Sequence, residues 1–474
     1  MYRYNAREIA DAIGGMFLAG DESIMADDIT IDSREVKAGS VFAAFLGENS
    51  DGHAYLESAA SSGATVLLVS DKDAFESRKA ALDDSAVAVI FVDDMRKAIQ
   101  DLARHQRSRL HDNEVVVIAV TGSTGKTSTK EFIAAVLSPT FKVISTSGNQ
   151  NNELGMPLTL LRADETTQVV IVEMGMRGSG QITELASIAR PRYGIVTSVG
   201  TSHLELLGTR MNIAHAKAEL FAQLPSDGVA LYDFSDEFGS LLSVAADCRH
   251  LTVGFCDHAD VAIKDATLDA LGLPSARYRS GEVAIDVSLT VPGLHHLLNA
   301  GYAAAIALEL GVAEEEIRSR LGRAQLSGMR FSAVRNDNLQ ITFINDAYNA
   351  NPTSMRGSLR TFAALGATGR KIAVLGDMLE LGDYSSKAHE EIGELVAELS
   401  LDAVFVYGDF SSAIAAGSRN HEFIRVFEYG LDKMDKLCSD LGEYVRPGDT
   451  VLLKASRGLA LERIINVLGD FRVG

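Results

Sequence analysis

Short apolar runs recur along the chain at 41–45, 65–69 and 87–92, again at 115–120, 169–173 and 194–198, and finally at 339–344, 371–375, 403–407 and 450–454. Segments of helical period and polar turns separate them. Runs of this length predict strands, and their alternation with helices predicts mainly parallel sheets whose strand ends can carry a ligand site. They fall into three groups, so the expectation is an α/β protein in three regions, 1–112, 113–326 and 327–474. The last reads as a nucleotide-fold-like, Rossmann-like domain. A chain of 474 residues is too long for one ordinary core and fits about three domains. Two α/β lobes that face each other form a cleft able to close over substrates.

The run at 115–120 leads directly into Thr121-Gly122-Ser123-Thr124-Gly125-Lys126-Thr127-Ser128, and a helical pattern continues through Leu137. Strand, glycine-rich loop and helix in this order predict a phosphate-binding loop, although Val120 stands where the full motif has its first glycine. Its glycines let backbone N–H groups approach phosphate oxygens. Lys126 can neutralise β/γ charge, and the Thr127 hydroxyl is placed to ligate Mg²⁺ at the helix N-terminus. The chain contains neither an Asn-Lys-x-Asp guanine-reading motif nor a protein-kinase catalytic signature, which disfavours a GTP switch and a kinase. Glu173 ends one strand run and His203 lies just beyond another, so both can face a nucleotide-bound cation.

Composition narrows the classes further. Hydrophobic residues at 46% can fill cores and charged residues at 23% can cover surfaces. A formal charge of −20 disfavours a general nucleic-acid surface, so an anionic ligand must be met by local cations and Mg²⁺. Cys248, Cys256 and Cys438 have neither disulfide-framework nor zinc-ligand spacing and read as reduced thiols, which fits a cytoplasm. The N-terminal residues lack the apolar core of a signal peptide. No apolar run approaches the roughly 18–20 residues of a membrane-spanning helix, so no membrane insertion is expected.

Other polar segments supply candidate ligand groups. Asp32-Ser33-Arg34 and Asp51-Gly52-His53 offer hydroxyl and guanidinium donors to an anion, or form solvated turns. Gly148-Asn149-Gln150-Asn151-Asn152, Lys217, Asn299, Arg330, the stretch from Asp346 through Pro352, and Gly376-Asp377-Met378-Leu379-Glu380-Leu381-Gly382 complete the set. In order and wording these motifs resemble the Mur ligase family over nearly the whole chain, and within it the branch that adds D-alanyl-D-alanine.

The resemblance implies three domains: a UDP-sugar-peptide-binding domain at 1–112, a central P-loop ATPase-like domain at 113–326, and a Rossmann-like domain at 327–474 that completes the nucleotide and acceptor sites. It implies an ATP- and Mg²⁺-dependent ligase of peptidoglycan precursor synthesis joining UDP-MurNAc-tripeptide to D-alanyl-D-alanine. Thr121, Gly122, Ser123, Thr124, Gly125, Lys126, Thr127, Asn299, Arg330 and Asp346 then hold the nucleotide. Thr127, Glu173, His203 and Lys217 serve the metals, Lys217 as a carbamate; Lys126, Glu173, His203 and Lys217 are the catalytic set. Ser33, Arg34, Asn149, Asn152, Tyr348, Asn349 and Asn351 contact substrates. His295 and His296 are adjacent, do not share a helical face, and read as a helix start. Lys454-Ala455-Ser456-Arg457 departs from the family by an alanine where glycine is frequent.

Chemically, a carboxylate is a poor acyl donor until phosphorylation turns it into an acyl phosphate, which an amine can attack. Two rivals remain at this stage. A sister ligase would add the third amino acid to a UDP-MurNAc-dipeptide, although the Asp-Asn-Pro-Arg motif of the diaminopimelate-adding branch is absent. A non-catalytic regulator would use ATP to close its lobes. The chain is expected to act as a monomer.

Overall fold

The computed structural model describes residues 1–47, 50–82, 87–419 and 424–469. Three main sheets follow one another along the chain, and each is built around the apolar runs. The first has the order Met16–Ala19, Ala88–Phe91, Ala64–Val69, Ser40–Ala43, Asp28–Thr30, parallel except for its Met16–Ala19 edge. The central sheet places Val116–Thr121 between Val169–Glu173 and Tyr193–Val196, all parallel and almost wholly buried, as unbroken apolar strands covered on both faces should be. An antiparallel extension was not anticipated: Val261–Leu268, Pro274–Ser280 and Val283–Ser288 continue the same sheet at one edge. The third sheet runs Ser332–Asn336, Ile341–Asn345, Thr450–Lys454, Lys371–Gly376, Ala403–Tyr407, Arg425–Tyr429, parallel apart from its first strand.

Helices cover these sheets and position the loops at the strand ends. Lys126–Leu137 follows the phosphate loop and packs against His295–Glu309, which does begin at the histidine pair. Asn351 caps Pro352–Ala364 through a reciprocal capping box with Ser354, with proline at the first turn where its missing N–H costs nothing. The 18-residue helix Met95–Asp112 starts at Asp94, whose side chain accepts from Lys97 N at 3.0 Å. Along its length it touches two regions. Gln106 accepts from Tyr4 Oη at 2.8 Å and donates to the Ala163 carbonyl, Gln100 donates to the Glu153 carbonyl at 3.1 Å, and Arg107 donates to the Ala189 and Arg190 carbonyls at 2.6 and 2.9 Å. Among the described residues, no helix is long and apolar enough to cross a membrane.

Candidate active site

The carboxyl ends of the central strands converge on the phosphate loop. Gly122 and Gly125 have φ of 149° and 82°, and an added Cβ would lie 1.9 Å from Thr197 Oγ1 and 2.5 Å from Asn299 Oδ1. Only glycine suits both positions, for conformation and for space. Thr124 is held from the neighbouring strand end, its N–H donating to Ser198 Oγ at 3.0 Å, while Ser123 Oγ accepts from Gly200 N at 2.8 Å. Thr121 ends the strand, and its hydroxyl donates to the Met174 carbonyl at 2.9 Å. Val120 lies inside the sheet and is fully buried, so the missing first glycine falls where a strand residue is required.

Glu173 sits opposite the loop at 2% exposure. Its Oε2 accepts the Thr127 hydroxyl at 2.9 Å and its Oε1 accepts from Asn151 Nδ2 at 2.8 Å. The hydroxyl and the carboxylate are hard oxygen donors, the type that Mg²⁺ takes alongside phosphate oxygens and water. Lys126 donates to the Gly122 carbonyl at 2.7 Å; burial lowers its pKa and Glu173 opposes that shift. Lys130, buried behind it, donates to the Thr146 carbonyl at 2.7 Å. Lys217 is 2% exposed and, among the described residues, its side chain has neither a hydrogen bond nor an ion pair. Burial, with Lys126 adding to it, drives its pKa well below the ordinary lysine value, so its amine is driven toward neutrality.

The third region forms the opposite wall. Arg330 stacks over the Tyr348 ring at 4.3 Å. Asp346, just past the strand Ile341–Asn345, pairs with Lys454 Nζ at 2.6 Å and accepts the Ser358 hydroxyl. Lys454 also donates to the Asn349 carbonyl at 3.2 Å. Ala455 is fully buried and its Cβ faces Gly376, so the departure from glycine is accommodated. Several contacts cross to the central region; among them Asn351 Nδ2 donates to Ser202 Oγ at 3.0 Å, and His203 Nδ1 lies 2.6 Å from Glu380 Oε2. Asn299 rests beside the loop, its Oδ1 accepting from Thr129 Oγ1 at 3.3 Å.

Thr127, Glu173 and Lys126 are therefore brought together, whereas His203 is engaged by the third region. Among the described residues, no three His, Cys, Asp or Glu side chains gather as a ready metal cluster. Asn152 turns its Oδ1 to Leu154 N and Gly155 N as a local cap, and Asn149 is exposed. Asn151, between them, is the residue that reaches Glu173; the polar run carried no signal to single it out. Lys130, Ser198, Glu380 and Lys454 also went unassigned in the sequence reading.

In the first region Arg34 is exposed and its guanidinium clasps Asp32, with Nη2–Oδ2 at 2.6 Å. Hydrogen bonds from Arg34 hold the Asp32 carboxyl down at about 2. Ser33 starts the adjoining turn. A cleft of about 670 Å³ between the first and central regions is lined by Lys37, Arg3 and Arg162 together with Asp28, Thr30 and Glu35. In a separate cavity of the first region His53 is buried, its Nδ1 2.7 Å from Asp51 Oδ1 and its Nε2 accepting from Ser70 N at 3.0 Å.

Three family models match the chain: Mur ligase family catalytic domain at 27–107, Mur ligase middle domain at 120–307, and Mur ligase glutamate ligase domain at 329–457. The chain is 35% identical over 470 residues to the UDP-N-acetylmuramoyl-tripeptide--D-alanyl-D-alanine ligase of Bacillus subtilis, covering 99% of both chains. Its counterpart in Escherichia coli is 30% identical, with 98% of each covered. A crystal structure of MurF from Acinetobacter baumannii superposes with a TM-score of 0.86 at 29% identity, over 99% of this chain and 100% of that one. MurF ligase from Thermotoga maritima in complex with ADP gives 0.78 at 27% identity, over 94% and 97%.

Proposed function

Since the chain belongs to the Mur ligase family, we infer that it is the ATP-dependent ligase that joins UDP-MurNAc-tripeptide to D-alanyl-D-alanine, giving UDP-MurNAc-pentapeptide, ADP and phosphate in peptidoglycan precursor synthesis. The observation that carries this reading is the match to ligases of that reaction over essentially their full length. The sister-ligase and regulator readings have no comparable support. The fold is the three-domain Mur ligase architecture. We set the domain boundaries at 1–112, 113–326 and 327–474, and each matched family model lies within one of these spans.

The tripeptide carboxylate attacks the γ-phosphorus of ATP and ADP leaves; the dipeptide amine then attacks the acyl carbon, and phosphate departs with a carboxylate oxygen. Lys126 and the amides of Gly122 to Thr127 hold the phosphate charge that develops in the first step. Mg²⁺, when bound, neutralises phosphate oxygens; Thr127 and Glu173 would hold it, and Asn151 fixes the carboxylate. Asn299, Arg330 and Asp346 serve the rest of the nucleotide, and His203 a second cation. Ser33 and Arg34 flank the cleft proposed for the UDP-sugar, while Asn149, Asn152, Tyr348, Asn349 and Asn351 border the reacting groups. A buried amine without a partner favours conversion of Lys217 to a carbamate, which replaces a repelled cation with a metal-facing carboxylate. We place the enzyme in the cytoplasm as a monomer, where ATP and nucleotide-linked sugars are available.

A product assay with ATP, D-alanyl-D-alanine and tripeptides ending in diaminopimelate or lysine, with the dipeptide precursor as control, tests the reaction. Pentapeptide formed only from a tripeptide is expected; product from the dipeptide alone identifies the sister ligase. Oxygen-18 in the donor carboxylate should appear in released phosphate. A crystal grown with bicarbonate tests the carbamate, and an unmodified Lys217 remote from both metals removes it.

A further inference from the structure

We propose that Glu380 is the positioning residue of His203: presented by the third region, its carboxylate occupies Nδ1 and leaves Nε2 as the ring nitrogen available to a cation. This rests on the reading of His203 as a ligand of the second Mg²⁺. His203 Nδ1 is closed to solvent and lies 2.6 Å from Glu380 Oε2, at ion-pair distance though off the direction of an ideal hydrogen bond, and no other polar group in the described structure satisfies it. An imidazole binds metal through one neutral nitrogen, and a carboxylate at the other nitrogen fixes both the tautomer and the ring orientation.

The backbone on both sides of this contact is built for it. His203 and Glu380 have φ of 63° and 64°, the left-handed region that non-glycine side chains occupy at a cost and that functional contacts exploit. Their backbones are also tied, because Glu205 N donates to the Glu380 carbonyl at 3.1 Å. The loop that presents Glu380 is pinned residue by residue. Asp377 accepts from Asp409 N and Phe410 N at 2.8 and 3.0 Å, Met378 N donates to His389 Nε2 at 2.8 Å, and Leu379 N donates to Ser456 Oγ at 2.9 Å. Beside it, Asn351 Nδ2 reaches Ser202 Oγ, the residue before His203, at 3.0 Å. A surface ion pair formed by chance would not need a strained residue on each side and a loop whose two preceding amides are both engaged. Because the contact joins two regions, orientation of His203 depends on the third region being docked.

The test titrates Mn²⁺ into the full-length protein with a non-hydrolysable ATP analogue, read by electron paramagnetic resonance. The variants are His203→Ala, Glu380→Ala, Glu380→Gln and the His203→Ala/Glu380→Ala pair. Glu380→Ala should weaken the second Mn²⁺ by about 10–100-fold, the range for loss of a carboxylate behind a metal-binding histidine, without changing the first. Glu380→Gln, whose amide oxygen can still accept from Nδ1, should lose less, and the double variant should be no weaker than His203→Ala. Imidazole ¹⁵N shifts should move from a single Nδ1–H form in the parent to mixed tautomers in Glu380→Ala. If His203→Ala abolishes the second Mn²⁺ but Glu380→Ala leaves both it and the tautomer unchanged, the assignment of Glu380 is wrong. If His203→Ala itself leaves the second Mn²⁺ intact, the ligand reading falls and this inference with it.

Discussion

Lys454→Met removes one charge from an ion pair nearly closed to water. The Lys454 side chain is 2% exposed and Asp346 14%, with Nζ and Oδ2 at 2.6 Å. The methionine keeps most of the apolar stem but strands the Asp346 carboxylate and the Asn349 carbonyl. Breaking a buried pair from one side costs about 3–5 kcal/mol. Asp346 retains the Ser358 hydroxyl and a little solvent, which reduces the expected loss to about 2–3 kcal/mol. In a lobe of this size, 1 kcal/mol lowers the midpoint by about 4 °C, so the transition of the third lobe should fall by roughly 10 °C in differential scanning calorimetry. Replacing both partners, as in Asp346→Leu/Lys454→Met, should recover most of the lost stability, because it is the unpaired charge that is penalised. A Lys454→Met midpoint within about 2 °C of the parent would refute this reasoning. So would a double variant that remains as unstable as the single one.

Three further outcomes are expected. Lys126→Ala should lower kcat/KM by about 100-fold or more with an unchanged melting profile, and normal turnover in steady-state assays would remove its role at the phosphates. Gly125→Ala should cost about 1–2 kcal/mol from its left-handed φ of 82° and should also push Asn299 aside, weakening ATP-analogue binding by calorimetry; parent affinity would contradict the crowding at that loop. Lys217→Met should inactivate the enzyme yet stabilise it. In CO₂-free buffer the folded pKa of Lys217 lies well below the ordinary 10.5, so the unfolded chain binds a proton that the folded chain releases and stability rises with pH through that window. The variant should lose this slope in denaturant titrations across pH; an equally steep slope would rule out Lys217 as its source.

The continuous apolar strands were legible because parallel strands covered on both faces need no polar alternation: 169–173 is the strand Val169–Glu173, and 403–407 is Ala403–Tyr407. The antiparallel extension was not, because Pro274–Ser280 alternates buried Ala276 and Tyr278 with exposed Arg277 and Arg279, which dilutes the apolar signal. The phosphate loop could be read because its chemistry lies in consecutive residues. Asn151 and Asn149 could not be told apart, since a polar turn has no period to show which amide faces Glu173. Glu380 and Lys454 act across distant segments, so their partners appear only when the chain is folded. The central location of Glu173 could be inferred from its strand end; its grip on Thr127 could not.

The helix Met95–Asp112 has a mechanical consequence. One apolar cluster runs from Tyr4 and Ile9 through Ile99 and Leu102 to Met156 and Leu185, whereas among the described residues the clusters of the third lobe begin at Phe331 and share no member with it. Parting the first two lobes would wet a common interior, whereas parting the second from the third breaks polar contacts such as those at Ser202 and His203. The first two lobes are therefore keyed together as a single stiff chassis, and the seam ahead of the third lobe is the one with no such shared interior.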